Sequence, residues 1–197
     1  MKILKKISEN EMIAEFLKGE IKSKRFGKDI TGALEKEKKS KNIIIGPNLN
    51  NKRENTFRKK LLFKVRKEFF EGFPADIRWY EAIIQKQELK KVKYIDFSYW
   101  NKLSDETRLP IRAAKNVKAG IKIFDVSNKG FFEIQSEIKK GKKMPLMIFI
   151  AQNKKSQIVI LEGHARLTAY FLNEKYIPKE MKIIIGYSGK LTEWDLY

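Results

Sequence analysis

The segment Ile160-Leu161-Glu162-Gly163-His164-Ala165-Arg166-Leu167-Thr168-Ala169 places a carboxylate, a glycine, an imidazole and a guanidinium within five residues, between an apolar run and a helical pattern. Gly163 lets backbone approach a ligand without a Cβ in the way. The first N–H groups of the helix, at about Ala165 to Leu167, lack intrahelical partners and suit an anion. Arg166 offers a forked guanidinium to that anion. Glu162 could hold a metal ion on phosphate oxygens or take a proton, and His164 could shuttle a proton near neutral pH. The structural alternative is that Glu162 only caps the helix and His164 only bonds a carbonyl.

The elements that must position this turn come from the last third of the chain. Phe131, Ile134 and Ile138 have helical spacing, closed by Gly141. Met144–Ala151 is a strand, 152–156 a hairpin turn, and Gln157–Leu161 a second strand. A helix with Leu167, Tyr170 and Phe171 inward follows, then the strand Met181–Tyr187. The order predicts a mixed α+β domain.

At these residues the chain resembles the ParB/sulfiredoxin-like superfamily, over roughly residues 124–188. The resemblance rests on the amphipathic helix, the Lys139-Lys140-Gly141-Lys142-Lys143-Met144-Pro145 junction, and the turn Glu162-Gly163-His164-Ala165-Arg166-Leu167-Thr168-Ala169 with its closing strand. It implies an α+β fold with a small mixed sheet. It also implies a nucleotide phosphate cradle, for ATP, ADP or CTP, at Gly163, His164, Ala165, Arg166 and Thr168. Kinase-type members carry an acidic residue before the glycine, as Glu162 is here, so the resemblance implies Glu162 and His164 as catalytic candidates and Glu162 as a Mg²⁺ ligand. Family members bring polar residues from upstream, for which Arg108 and Arg112 are the candidates. Two departures narrow this. Sulfiredoxin has its catalytic Cys where His164 stands, and this chain has no Cys. Members often have His directly before the Arg, where Ala165 stands.

The 197 residues carry a formal charge of +19, with 42% apolar and 12% aromatic residues, which predicts a folded, basic protein with an anionic partner. No cysteine excludes disulfides and thiolate sites, and the lone His164 excludes multi-histidine metal centres. The N-terminus lacks the apolar run of a signal peptide, and no stretch is long enough to span a membrane. A cytoplasmic protein without a membrane partner is the expectation.

Residues 1–70 hold 20 basic and 9 acidic side chains. A basic, mainly helical extension is expected over 1–75, ahead of an α/β domain over 76–197. Glu9–Lys22 reads as a helix, Lys22–Lys41 as a loop or mobile arm, and Asn42–Gly46 as a short strand. Asn51 caps a helix reaching Phe70, with Glu54 in capping-box position. Arg78–Gln85 alternates as a strand, Pro110 breaks the Ser104–Gly120 stretch, and Ile121–Val126 reads as a strand. Lys24, Arg25, Lys28, Arg58 and Lys59 are the candidates for a DNA or RNA backbone. The expected function is nucleotide binding, with Mg²⁺-dependent phosphoryl transfer or NTP hydrolysis at Glu162. The alternatives are a nucleic-acid-binding protein or ParB-like nuclease, and a non-enzymatic regulatory module whose cradle is empty.

Overall fold

The computed structural model describes residues 1–197. In chain order the elements are β1 (Lys2–Ile7), α1 (Glu9–Glu20), α2 (Gly27–Lys36), α3 (Asn42–Ile45), α4 (Lys52–Val65), α5 (Lys67–Phe70), β2 (Arg78–Gln85), α6 (Lys86–Leu89), β3 (Lys93–Tyr94), α7 (Ser98–Leu103), α8 (Pro110–Lys118), α9 (Lys129–Lys139), β4 (Ile148–Ala151), β5 (Val159–Glu162), α10 (His164–Leu172) and β6 (Glu180–Tyr187). The fold is α+β. One six-stranded mixed sheet has the order β1-β2-β6-β4-β5-β3. The β4/β6 and β3/β5 pairs are parallel, and the other neighbours are antiparallel.

The central strands explain the layering. β4 (IFIA) and β5 (VILE) are buried along their whole length, so they carry apolar side chains on both faces. Phe149, Ala151, Ile160, Ile183 and Ile185 point into a core shared with α8, α9 and α10. Ile148, Ile150, Val159, Leu161 and Ile184 point into a second core, shared with α1, α2, α4 and α5. Helices therefore cover both faces. Residues 1–75 do not form an appended extension. β1 is an edge strand of the same sheet, paired with β2, and the N-terminal helices close one face of it. Lys2, Leu4, Lys5 and Lys6 of β1 are exposed, so the strand has no apolar alternation by which its sequence could be recognised.

Several local expectations are corrected. Lys22–Lys41 contains α2, because Ile30 and Leu34, four residues apart, bury completely on one stripe. Residues Asn42–Ile45 form the helical turn α3, closed by Gly46, and not a strand. Gly46 N–H bonds the Asn42 carbonyl, and Arg58 draws in the carbonyls of Ile43 and Asn48 at 2.9 and 3.2 Å. The long helix expected to run to Phe70 breaks at Arg66 (φ −119°) into α4 and α5. Its cap is as read: the Asn51 side chain accepts from Glu54 N–H at 3.2 Å. Pro110 opens α8 at its first position, where its missing N–H costs nothing. Ile121–Val126 is an irregular loop in which Phe124 and Asp125 are both left-handed (φ 50° and 56°). No helix is long and apolar enough to cross a membrane.

Candidate functional site

Gly163 is the N-cap of α10 and sits at φ 101°, a conformation side chains other than hydrogen rarely adopt. A Cβ there would also lie 2.7 Å from Met147 Cγ and 3.3 Å from an Arg166 terminal nitrogen. Glycine is needed on both counts. Leu167 N–H bonds the Gly163 carbonyl at 2.8 Å, which starts the helical ladder. The N–H groups of His164, Ala165 and Arg166 thus belong to the open first turn.

Glu162 and Arg166, one turn apart across Gly163, form a buried ion pair, and the other terminal nitrogen of Arg166 bonds the Pro145 carbonyl. Residues outside the turn complete the cluster. α1 closes on the pair through Gly19, where a Cβ would stand 2.8 Å from Glu162 Oε1. Glu20, next in α1, lies 3.4 Å from Arg66 Nε. The Arg66 guanidinium stacks 3.6 Å over Phe69 and 4.2 Å over Phe26. Two glutamates and two arginines are therefore buried together, where one ion left unpaired would cost several kcal/mol. Burial pushes the Glu20 carboxyl up to about 7 against the pull of Arg66. Burial likewise raises Glu162, opposed by Arg166.

His164 is 7% exposed. Its ring stacks on Trp100 at 5.1 Å and 13°, lies 5.9 Å from Tyr94, and meets the edge of Phe69 at 6.1 Å. Burial, together with Arg66 and Arg166, lowers its pKa to about 3, so the imidazole is neutral at pH 7. Its Nε2 is buried without a hydrogen-bond partner. Such an orphan is uncommon in folded proteins and costs roughly 1–3 kcal/mol. Thr168, read as a phosphate contact, is engaged elsewhere. Its hydroxyl donates to the His164 carbonyl at 2.7 Å and accepts from Tyr94 Oη at 2.6 Å.

The remaining candidates separate. The Arg108 guanidinium donates to the carbonyls of Tyr94 and Tyr197 at 2.9 and 2.8 Å and faces Asp96, so it latches the chain terminus to β3 and does not reach the turn. Arg112 is exposed on α8 and pairs with Asp105. Lys24 pairs with Glu133 at 2.5 Å, Arg25 lies 3.5 Å from Glu68, and Lys59 pairs with Glu9 at 2.7 Å. Lys24 and Lys28 line an open hollow of about 640 Å³ at the start of α2. Arg58 cannot touch a nucleic acid: it is 1% exposed and its two terminal nitrogens bond Ile43, Asn48 and Asn55.

Glu162 faces Arg166, and no three His, Asp or Glu side chains come together to hold a metal ion. This donor set does not fit a Mg²⁺ ion held by the protein alone.

Sequence reasoning missed Gly19, Glu20, Arg66, Phe69 and Trp100. A signal existed for two of them. Arg66 falls four residues after Leu62 and three before Phe69, on the apolar stripe, and Glu20 continues the Phe16–Leu17 stripe of α1. A charge on the buried stripe of an amphipathic helix needs a buried counter-charge. No family model, curated protein or solved structure matches the chain.

Proposed function

We propose that the chain binds a phosphate-bearing ligand, in the first place a nucleotide, at the N-terminal end of α10. The observation that carries this reading is the orphaned His164 Nε2, buried at the start of a helix beside two buried guanidinium groups. In the closed state Glu162 supplies the negative charge that Arg166 requires. A phosphate would take over that role, and a phosphate oxygen would accept from Nε2–H in the tautomer that gives up the bond to the Ile160 backbone. The resemblance to the ParB/sulfiredoxin-like superfamily supports the same place and the same ligand class. Any Mg²⁺ would arrive on the nucleotide's phosphates, and no step is routed through it.

The test is the thermal stability of the full chain with ATP, ADP, CTP and GTP, with and without Mg²⁺. A ligand at 100 times its dissociation constant stabilises by about 2.7 kcal/mol. The increment is expected to vanish in His164→Phe, which keeps the aromatic stack but removes Nε2. An unchanged melting temperature with every nucleotide overturns the reading.

A second reading has its own observation. Met147 and the Glu162–Arg166 pair fill the space over Gly163, which favours a regulatory module with a permanently closed cradle. Glu162→Gln separates the two. It frees Arg166 for an external anion, so nucleotide affinity rises in the first reading and stays absent in the second. The nucleic-acid reading is the weaker one, because Arg58 is buried and Lys24, Arg25 and Lys59 each face a glutamate. A gel-shift salt titration addresses it directly.

A further inference from the structure

Of eight exposed large apolar side chains in the molecule, four fall within twelve residues: Ile121, Phe124, Val126 and Phe132. The segment Ala119–Ser127 projects. Of its nine residues only Ile123 is even half-buried. It is nevertheless held in shape: Ile121 N–H bonds the Asn116 carbonyl at 3.0 Å, Asn128 Nδ2 bonds the Ile121 carbonyl at 2.8 Å, and Val126 N–H bonds the Ile123 carbonyl at 3.0 Å. Phe124, 57% exposed, is kept at φ 50°, a conformation that costs a side-chain-bearing residue about 1–2 kcal/mol. Large residues held in strain while facing water cluster at recognition sites.

We propose that this loop is a docking surface for an acidic polypeptide with an apolar groove, Phe124 being the side chain that enters the groove. The charge around it selects the partner. Lys102 Nζ stands 4.6 Å over the Phe124 ring, and Lys118, Lys122 and Lys129 are exposed beside it. Lys129 lies 4.0 Å from Glu133, which leaves Lys102, Lys118 and Lys122 against the loop's one carboxylate, Asp125. An aromatic anchor inside a charged rim is the usual anatomy of a protein interface. A second copy of the chain, at +19, repels this rim. A bilayer would have to take Asp125 into hydrocarbon between Phe124 and Val126, at a cost a protein groove avoids by leaving that carboxylate at its edge. Nucleic acid gains nothing from Ile121 and Val126.

The probe is a phage-displayed random peptide library selected on the immobilised full chain, with the enriched peptides synthesised and their Kd values measured. The proposal expects peptides that combine Asp or Glu with aromatic or aliphatic residues. Their Kd should weaken at least about tenfold in Phe124→Ser and several-fold in Lys102→Ala or Lys122→Ala, with added salt weakening the wild type further. Val126→Ser gives an independent variant should Phe124→Ser lose its cooperative melt. Enriched peptides without acidic residues, or equal binding to wild type and Phe124→Ser, overturn the proposal. So does Phe124-dependent binding to phosphatidylserine vesicles without peptide binding, or self-association that Phe124→Ser abolishes.

Discussion

The start of α10 and the loop 119–127 invert the usual partition of side chains. At the first, Glu20, Arg66, Glu162, Arg166 and a neutral histidine are buried. At the second, phenylalanine, isoleucine and valine stand in water. Either arrangement alone costs stability, and proteins tolerate such departures where a site or partner requires them. The difference lies in what enforces each. The buried charges depend on one another across three segments of chain. The exposed apolar residues depend only on a loop tied down by Asn116 and Asn128. Substitutions should therefore propagate at the first and remain local at the second.

The largest effect is expected from Arg166→Ala, which strands Glu162 without its partner and should lower unfolding free energy by about 3–5 kcal/mol in chemical denaturation. Gly19→Val should destabilise by less, since its Cβ would meet Glu162 Oε1 at 2.8 Å and displace the carboxylate from Arg166. Equal stability of Arg166→Ala and wild type would show that the pair is not buried in solution.

Acid should weaken the same region. His164 has a folded pKa of about 3, below its ordinary 6.5, so its contribution is complete above pH 6.5 and is lost as pH falls towards 3. The loss should amount to a few kcal/mol and be absent in His164→Phe, as read from stability at pH 7 and pH 4. Glu20 has the opposite sign. Its folded pKa of about 7 lies above the unfolded 4.5, so it weakens the fold progressively as pH rises from 4.5 through 7. Between pH 4.5 and pH 8 the stability of Glu20→Gln relative to wild type should rise by about 1–3 kcal/mol, on top of a pH-independent cost for the Arg66 charge it leaves behind. A pH-independent difference would remove the titration from Glu20.

The smallest effect belongs to the loop. Phe124→Ser should change stability by less than about 0.5 kcal/mol, and Phe124→Gly should raise it slightly by relieving the left-handed backbone. A loss of 2 kcal/mol in either would mean that Phe124 packs in solution, and the contrast between the two regions would collapse.

Much of the fold was legible where a residue's environment is set by its near neighbours in sequence. The bounds of β2, the Asn51 cap, the Gly141 stop and the β4–β5 hairpin follow from alternation, capping and turn chemistry. β1 was not legible, because its exposed Lys2, Leu4, Lys5 and Lys6 leave no alternation, and its strand character comes from pairing with β2 more than 70 positions away. Phe124 and Asp125 broke the strand expected at 121–126 by taking left-handed backbone, which no apolar alternation encodes. For the site, the turn from Glu162 to Arg166 was readable as a unit. Its other half was not: Gly19, Glu20 and Arg66 arrive by folding, and excess positive charge disguised Arg58 and Arg66 as surface residues despite their place on apolar stripes.

The sharing of one charge cluster between residues 19–66 and residues 162–166 has a consequence for synthesis. The amino-terminal helices are made before their docking strands, with an apolar stripe exposed and with Glu20 and Arg66 paired only to each other until Glu162 and Arg166 arrive roughly a hundred residues later. The strands on which they close, β4, β5 and β6, are translated well after them. The N-terminal helices of such a chain should dock only after β4, β5 and β6 have been made. A chain halted near Gly141 should remain uncommitted, open to proteases and chaperones alike.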